Sequence, residues 1–267
     1  MPLLAALAAA CDPVGTAASG RPTIARETDR FAAQGWTGAN ARLADAAARG
    51  DADGVARAVA DGADPNARAA SGMPILMTAA MAGSEAGFAA LLDAGADPNA
   101  RFPYDRTKPE ETGHVAELMV AEDRLPYLAM LLEAGADPNA KAGGNEPLIW
   151  HAALNRGWPA LRMLVEAGAD VDAFNHDAYG DTVLRFYAAG AFDKALWLLE
   201  RGARPDHPLR QATRPELIGT YPVLEDIFHY PVNATAFPEL AEAQAKAQRF
   251  VLAEGYDKPP IPKRHSR

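Results

Sequence analysis

Carboxylate and amide side chains stand two apart at three places, in Asp64-Pro65-Asn66, Asp97-Pro98-Asn99 and Asp137-Pro138-Asn139. Such pairs could offer oxygen ligands to a hard cation, but a calcium loop needs more ligands and a glycine at a fixed offset. Asp170, Asp172 and Asn175 come closer to a cation site and still fall short of that ligand count. The six histidines, His114, His151, His176, His207, His229 and His265, show no H-E-x-x-H or other ligand spacing. Nucleophilic chemistry is equally unsupported. None of the four serines, Ser19, Ser71, Ser84 and Ser266, lies in G-x-S-x-G, and Gly83-Ser84-Glu85-Ala86-Gly87 misses it by one position. A glycine-rich phosphate loop is missing too. The sequence therefore gives no catalytic, cofactor or metal constellation and reads as non-enzymatic.

The Asp and Asn residues belong to a longer word. GADPNA is spelled at Gly62–Ala67, Gly95–Ala100 and Gly135–Ala140, and GADVDA and GARPDH follow at Gly168 and Gly202. The leading glycines are 33, 40, 33 and 34 residues apart. Upstream of two of them stand PILMTAAMAG (Pro74–Gly83) and PLIWHAALNR (Pro147–Arg156). Each unit closes on a pair such as Leu91-Leu92, Leu131-Leu132, Leu164-Val165 or Leu198-Leu199. The pattern predicts a first helix over about Pro74–Ala82 and a second over about Glu85–Ala94, with Phe88, Leu91 and Leu92 at i, i+3 and i+4 on one apolar stripe. Pro74 suits a first helical turn, and Pro126 and Pro159 open later second helices. Gly95 falls where the helix must end left-handed, and Asp97-Pro98-Asn99 has tight-turn chemistry.

A 33-residue period with these two helices resembles the ankyrin-repeat family, whose T-P-L-H-x-A-A-x-x-G run is matched by Pro74–Gly83 with Pro and Ile in place of Thr and Pro. The resemblance is strong over about 41–207 and inferred over about 208–256. It implies an all-α solenoid of five to six helix-turn-helix units with short fingers, each unit burying its stripe only against its neighbours. The first unit, about Ala41–Asn66, has the smaller pair Ala58-Val59, as an end cap requires. FPELAEAQAKAQRFVLAEGY, ending in Val251-Leu252-Ala253-Glu254-Gly255, reads as a degenerate sixth repeat with a polar outer face. Two units are stretched. The third has about seven extra residues near Arg101–Thr112, and the last about twenty in or near Ala212–Phe237. Insertions in repeat arrays fall in loops on one face, often the binding face.

Composition fits this reading: 49% hydrophobic, 23% charged, rich in alanine and poor in strand-forming runs. A net charge of -9 argues against nucleic acid as a partner. Nothing reaches the length of a membrane span. MPLLAALAAAC, residues 1–11, ends in Ala8-Ala9-Ala10-Cys11, similar to the cleavage site and lipidated cysteine of bacterial lipoproteins. Ala8 stands where that family has Leu, and the missing basic residues are consistent with a start further upstream. Cys11 is the only cysteine, and residues 12–36, opening with DPVGTAASGRPT, suit a flexible tether. The other reading is the mildly apolar terminus of a cytosolic protein. The array would span 37–256, followed by a basic tail over 257–267.

The resemblance implies a concave groove made by the turn tips and the exposed face of each first helix. At the tips lie Arg68, Arg101, Phe102, Tyr104, Arg106, Lys141, Phe174, Asn175, His176 and Tyr179, and on the first helices Thr78, Met81 and His151, with Trp150 and Arg185 as further candidates. Aromatic and arginine side chains dominate binding hot spots. Trp150 and Phe174 either face this groove or pack between repeats, while Phe102 and Tyr104, in the insertion, are expected to be exposed. The expected partner of this monomer is another protein: a secreted toxic effector that it neutralises as an envelope immunity protein, or an envelope enzyme that it supports. A cytosolic adaptor is the third reading.

Overall fold

The computed structural model describes residues 36–105, 108–175, 181–207 and 222–260. They fall into two compact units. One gathers the described residues up to Ala116 together with Pro126–Ala136, and the other gathers Glu117–Leu125 with the described residues from Asp137 onward.

The first unit holds α1 (Gly38–Arg49), α2 (Ala52–Ala60), α3 (Leu76–Met81), α4 (Glu85–Asp93), the hairpin strands β1 (Arg101–Asp105) and β2 (Lys108–His114), and α5 (Leu125–Glu133). Its core is what the periodicity requires: Leu43, Val55, Ile75, Leu76, Met77, Phe88, Leu91, Leu128 and Leu131 are buried, and Phe88 packs edge-on against Tyr127 at 5.0 Å. Burial of each large side chain contributes about 1.5–3 kcal/mol. The helices begin with local caps. Asp51 accepts from the Gly54 N–H at 2.8 Å and Ser84 from the Gly87 N–H at 3.1 Å. The near-match to a nucleophile elbow is thus a helix cap. Its second glycine is needed for contact, because a Cβ on Gly87 would lie 1.7 Å from the Ala47 carbonyl oxygen at the end of α1.

The insertion in the third repeat, expected as a loop, is a two-stranded antiparallel hairpin. Its first pair, Arg101 with His114, stands where other repeats have single bridges: Arg68 with Pro74 and, in the second unit, Lys141 with Pro147 and Asn175 with Asp181. The extra residues lengthen a finger outward and leave its base in place. The same repeat has a 3₁₀ turn, Val115–Met119, in place of a first α-helix.

The second unit holds α6 (Leu148–Leu154), α7 (Trp158–Glu166), α8 (Val183–Ala188), α9 (Phe192–Leu199), α10 (Pro222–His229) and α11 (Pro238–Ala253). Trp150, Leu161, Leu164, Leu184, Phe192, Leu198, Ile227, Ala247 and Val251 form its interior. The long helix α11 covers α9, and Gln244 donates to the Ile227 and Tyr230 carbonyls at the end of α10. Residues 212–221 of the expected second insertion lie outside the described residues, and 222–237 form α10 and the turn leading to α11.

The repeated hexapeptide has two jobs. Its glycine ends the second helix with φ between 89° and 97° at Gly62, Gly95, Gly135, Gly168 and Gly202, and Gly255 repeats this at 90°. At none of these six does a Cβ meet anything within 4 Å, so backbone torsion, not space, selects glycine. Its Asp accepts from the N–H two residues on, as in Asp64 to Asn66, Asp97 to Asn99 and Asp137 to Asn139, each at 2.8 Å. The Asn then reaches into the next repeat's turn. Asn66 accepts from the Asp97 N–H at 2.7 Å and donates to the Gly95 carbonyl at 3.0 Å. Asn139 does the same to Asp170 and Gly168, at 2.7 and 3.4 Å. In GADVDA the amide is replaced by Asp172, which keeps only the acceptor role, toward the Arg204 N–H at 3.0 Å, and has His207 Nε2 at 3.2 Å from its other oxygen.

Asn66→Ala removes both bonds and is expected to destabilise the protein by about 1–2 kcal/mol, whereas Asn66→Asp, which keeps the acceptor, should cost less. Chemical denaturation of the two variants checks this. Equal losses would show that the amide donor contributes nothing.

Candidate partner-binding surface

The finger tips are built by side chains that were expected to face outward. Arg68 Nη1 donates to the Gly72 carbonyl at 2.9 Å and the Arg101 carbonyl at 2.6 Å, tying one finger to the hairpin. Arg101 in turn bonds Thr112 Oγ1 through Nε at 2.8 Å and the Thr112 carbonyl through Nη2 at 2.7 Å. Both arginines are exposed, with their guanidinium groups spent on backbone and hydroxyl oxygens. Phe102 is the main correction. It is 1% exposed and lies beneath Tyr104, whose ring meets it edge-on at 5.3 Å. Phe102, paired with Gly113 near the base of the hairpin, is turned to the interior; a bulge between Pro103 and Asp105 follows it, and the half-buried Tyr104 is left for contact. Below the hairpin, buried His114 accepts from the Ala116 N–H through Nδ1 and stands 3.3 Å from Asn99 Oδ1 through Nε2. That pattern corresponds to the neutral Nε2–H tautomer.

Two more expected contacts are inside. Thr78 is 8% exposed on α3, and Asn175 is 1% exposed. Asn175 donates to Glu146 Oε1 at 3.2 Å, and Glu146 Oε2 lies 3.0 Å from His151 Nδ1. Asn175 and the half-buried His151 therefore share one carboxylate that joins two repeats. Of the remaining candidates, Lys141 and Met81 are exposed, and Phe174 is half-buried against His207 with ring centres 5.9 Å apart. Arg106, His176, Tyr179 and Cys11 lie outside the described residues. Trp150 packs between repeats, with its indole N–H shared by the Ala173 and Asp181 carbonyls at 3.2 and 3.1 Å.

Sequence reasoning missed two features of the second unit. The first is a polar cluster at α8. Arg185, at the register position of Thr78 and His151, lies with Nε 3.4 Å from Asp181 Oδ2 and bonds Asp226 of α10 through Nη1. Two buried carboxylates thus share one guanidinium. Burial pushes the Asp181 carboxyl up to about 6, against the pull of the Thr182 N–H and Arg185. Asp226 was invisible beforehand because the pairing spans 41 residues. The second feature is apolar. Phe186, 46% exposed, packs edge-on against Trp150 at 6.1 Å, and Leu154, 36% exposed, lies one turn along α6 from Trp150. The alanine positions of the family pattern hid Phe186, which stands where the other two stretches have Ala79 and Ala152.

Among the described residues no group of three His, Cys, Asp or Glu side chains is placed to hold a metal ion, and no helix is long and apolar enough to cross a membrane. What the surface offers is exposed apolar and cationic side chains on a hydrogen-bonded frame.

Repeated helix pairs, glycine-ended second helices and bridged fingers define the ankyrin-repeat fold, and solved structures agree. An ankyrin repeat domain from Acinetobacter baumannii AYE superposes with a TM-score of 0.54 at 23% identity, covering 80% of this chain and 98% of that one. The ankyrin repeat domain of Bcl-3, described as a unique member of the IkappaB protein family, gives a TM-score of 0.55 at 18% identity over 81% of this chain and 86% of its own. No protein-family model and no curated protein sequence matches the chain.

Two measurements test this geometry. Phe102→Ala should lower stability by about 3–5 kcal/mol, as for a core aromatic, and a Tm equal to wild type would place the ring at the surface. The raised Asp181 value means that the folded state holds this proton more tightly than the unfolded chain. The contribution of Asp181 to stability therefore falls as pH rises from about 3.8 to about 6 and is level above that. The Tm of Asp181→Asn minus that of wild type should grow across this window; a constant difference would contradict the assignment.

Proposed function

We propose that the chain is a non-enzymatic module that binds another protein through the exposed side chains of its first helices and fingers. The observation that carries this reading is the exposed pair Phe186 and Leu154 beside Trp150. Large apolar groups that stay accessible on a frame fixed by turn amides are suited to burial against a partner, with little ordering cost on this side of the interface. Met81, at the register position of Leu154, is the corresponding exposed group of the first unit. Tyr104 and Lys141 supply an aromatic and a cationic contact at the fingers.

The setting we propose is a bacterial envelope, with Cys11 as the lipidated residue after Ala8-Ala9-Ala10 and the following polar stretch as tether. The partner there is a secreted toxic effector, and the module acts as its immunity protein. The support is the resemblance of the first eleven residues to a lipoprotein signal combined with the ankyrin-repeat fold of the chain.

Capture of the products of neighbouring genes by the full chain tests the reading. A toxin domain among them, with growth rescued on co-expression, supports immunity; a captured enzyme whose activity rises supports the accessory role instead. Phe186→Ala with Leu154→Ala should weaken capture roughly tenfold or more while the Tm stays near wild type. Unchanged capture removes this face from the interface. Cys11→Ser should release the protein from the membrane fraction, and an unaltered distribution would refute the tether.

A further inference from the structure

The second helices of the C-terminal unit carry a different surface. Trp158 at the start of α7 and Trp197 in α9 meet edge-on at 5.3 Å, and Tyr187 of α8 meets Trp158 in the same way at 5.1 Å. Three cations lie on these rings. Arg201 stands 3.6 Å from the Trp197 centroid with Arg162 at 5.6 Å, and Lys194 Nζ is 5.4 Å from the centroids of both Trp158 and Tyr187. Both tryptophans keep part of their surface exposed. Arg162 is shared with Glu166 at 3.3 Å. Among the described residues Lys194 and Arg201 make no ion pair, although Asp193 and Glu200 are their chain neighbours; Arg201 Nη1 donates only to the Trp197 carbonyl, at 3.2 Å.

The feature of this face is therefore not its net sign, since Glu166, Asp193 and Glu200 stand beside the three cations, but that Lys194 and Arg201 are seated on rings rather than on carboxylates. Stacking on an indole holds a guanidinium flat and leaves the donors along its edge directed outward, the arrangement that pairs with a carboxylate. An ammonium seated over two rings is likewise fixed with part of its hydration removed, which strengthens its attraction for an anion. Membrane insertion fits less well, because the rings are engaged by one another and by the cations and have no free face to enter an acyl layer.

We propose that Arg162, Lys194 and Arg201, held on Trp158 and Trp197, bind an acidic segment of a partner protein, with carboxylates at Lys194 and Arg201 and apolar side chains against the ring edges. The inference rests on the protein-binding reading of the chain but uses residues separate from Leu154 and Phe186.

The test uses the full chain and a fluorescein-labelled peptide of alternating Glu and Leu, with a Lys and Leu peptide as control, followed by anisotropy. The Glu peptide should bind and the Lys peptide should not, and binding should weaken as salt rises from about 50 to about 300 mM. Lys194→Gln with Arg201→Gln, two positions outside the core, should lower affinity roughly tenfold, while Leu154→Ala leaves it unchanged. In the wild type the peptide should also perturb tryptophan emission, and because Trp36 and Trp150 are 3% and 1% exposed, that change reports on Trp158 and Trp197. Failure of the Glu peptide to bind, or equal affinity in the glutamine variant, overturns the proposal. So does variant-sensitive sedimentation with vesicles containing phosphatidylglycerol, which assigns the face to lipid, or variant-sensitive dimerisation, which assigns it to a second copy. Failure of the wild-type chain to bind the Glu peptide, with partner capture through Leu154 and Phe186 intact, would refute this face alone.

Discussion

A primary amide has one acceptor and one donor end, and in each unit of this protein an asparagine uses both to hold one turn against the next. Asn66 grips the Asp97 N–H and the Gly95 carbonyl, and Asn139 repeats the grip on Asp170 and Gly168. The register of everything else follows. The glycine must end its helix left-handed for its carbonyl to face the amide, and the Asp must fold the turn for its N–H to be presented. The apolar stripe of each second helix is then set at a fixed offset from its neighbour. Hydrophobic burial supplies most of the stabilisation, while the amide specifies the alignment.

The clasp weakens in specificity where the amide is lost. Asp172 cannot donate, so its second oxygen is met by His207 instead. The cores also differ. At the first position of the ten-residue stretch, Pro74 and Pro147 give way to Asp181, and at the fifth position Thr78 and His151 give way to Arg185. The unit that ends with α10 and α11 thus carries a buried charged cluster where the other has apolar or hydroxyl groups. Such a cluster contributes little net stability once desolvation is counted, but it resists mispairing because each carboxylate needs that guanidinium.

The fold was legible in the sequence because it is written periodically. Helix stripes, glycine caps and the proline at the start of α7 are local signals that recur from repeat to repeat, the glycines at steps of 33, 40, 33 and 34 residues, and each of them lies within one turn of the residues that it positions. The surface was less legible. Arg68 and Arg101 looked free because nothing in a linear chain shows a carbonyl on an adjacent finger. Phe102 looked exposed because a linear insertion does not show that its first residues pair, as Phe102 does with Gly113, and so stay at the packed base of a hairpin. Phe186 was overlooked since the family pattern expects a small residue there, and Asp226 because its partner comes from a distant helix.

The lengthened finger has a wider consequence. The pair Arg101 and His114 keeps the place that Arg68 and Pro74 hold in the preceding repeat, and all added residues lie beyond it. Chain length at a fingertip is therefore uncoupled from the packing at its base. Loop-closure entropy rises only slowly with added length, so a lineage can lengthen, shorten or rewrite this tip at little thermodynamic cost. Within this unit the tip can thus be rewritten while the packed base beneath it stays the same.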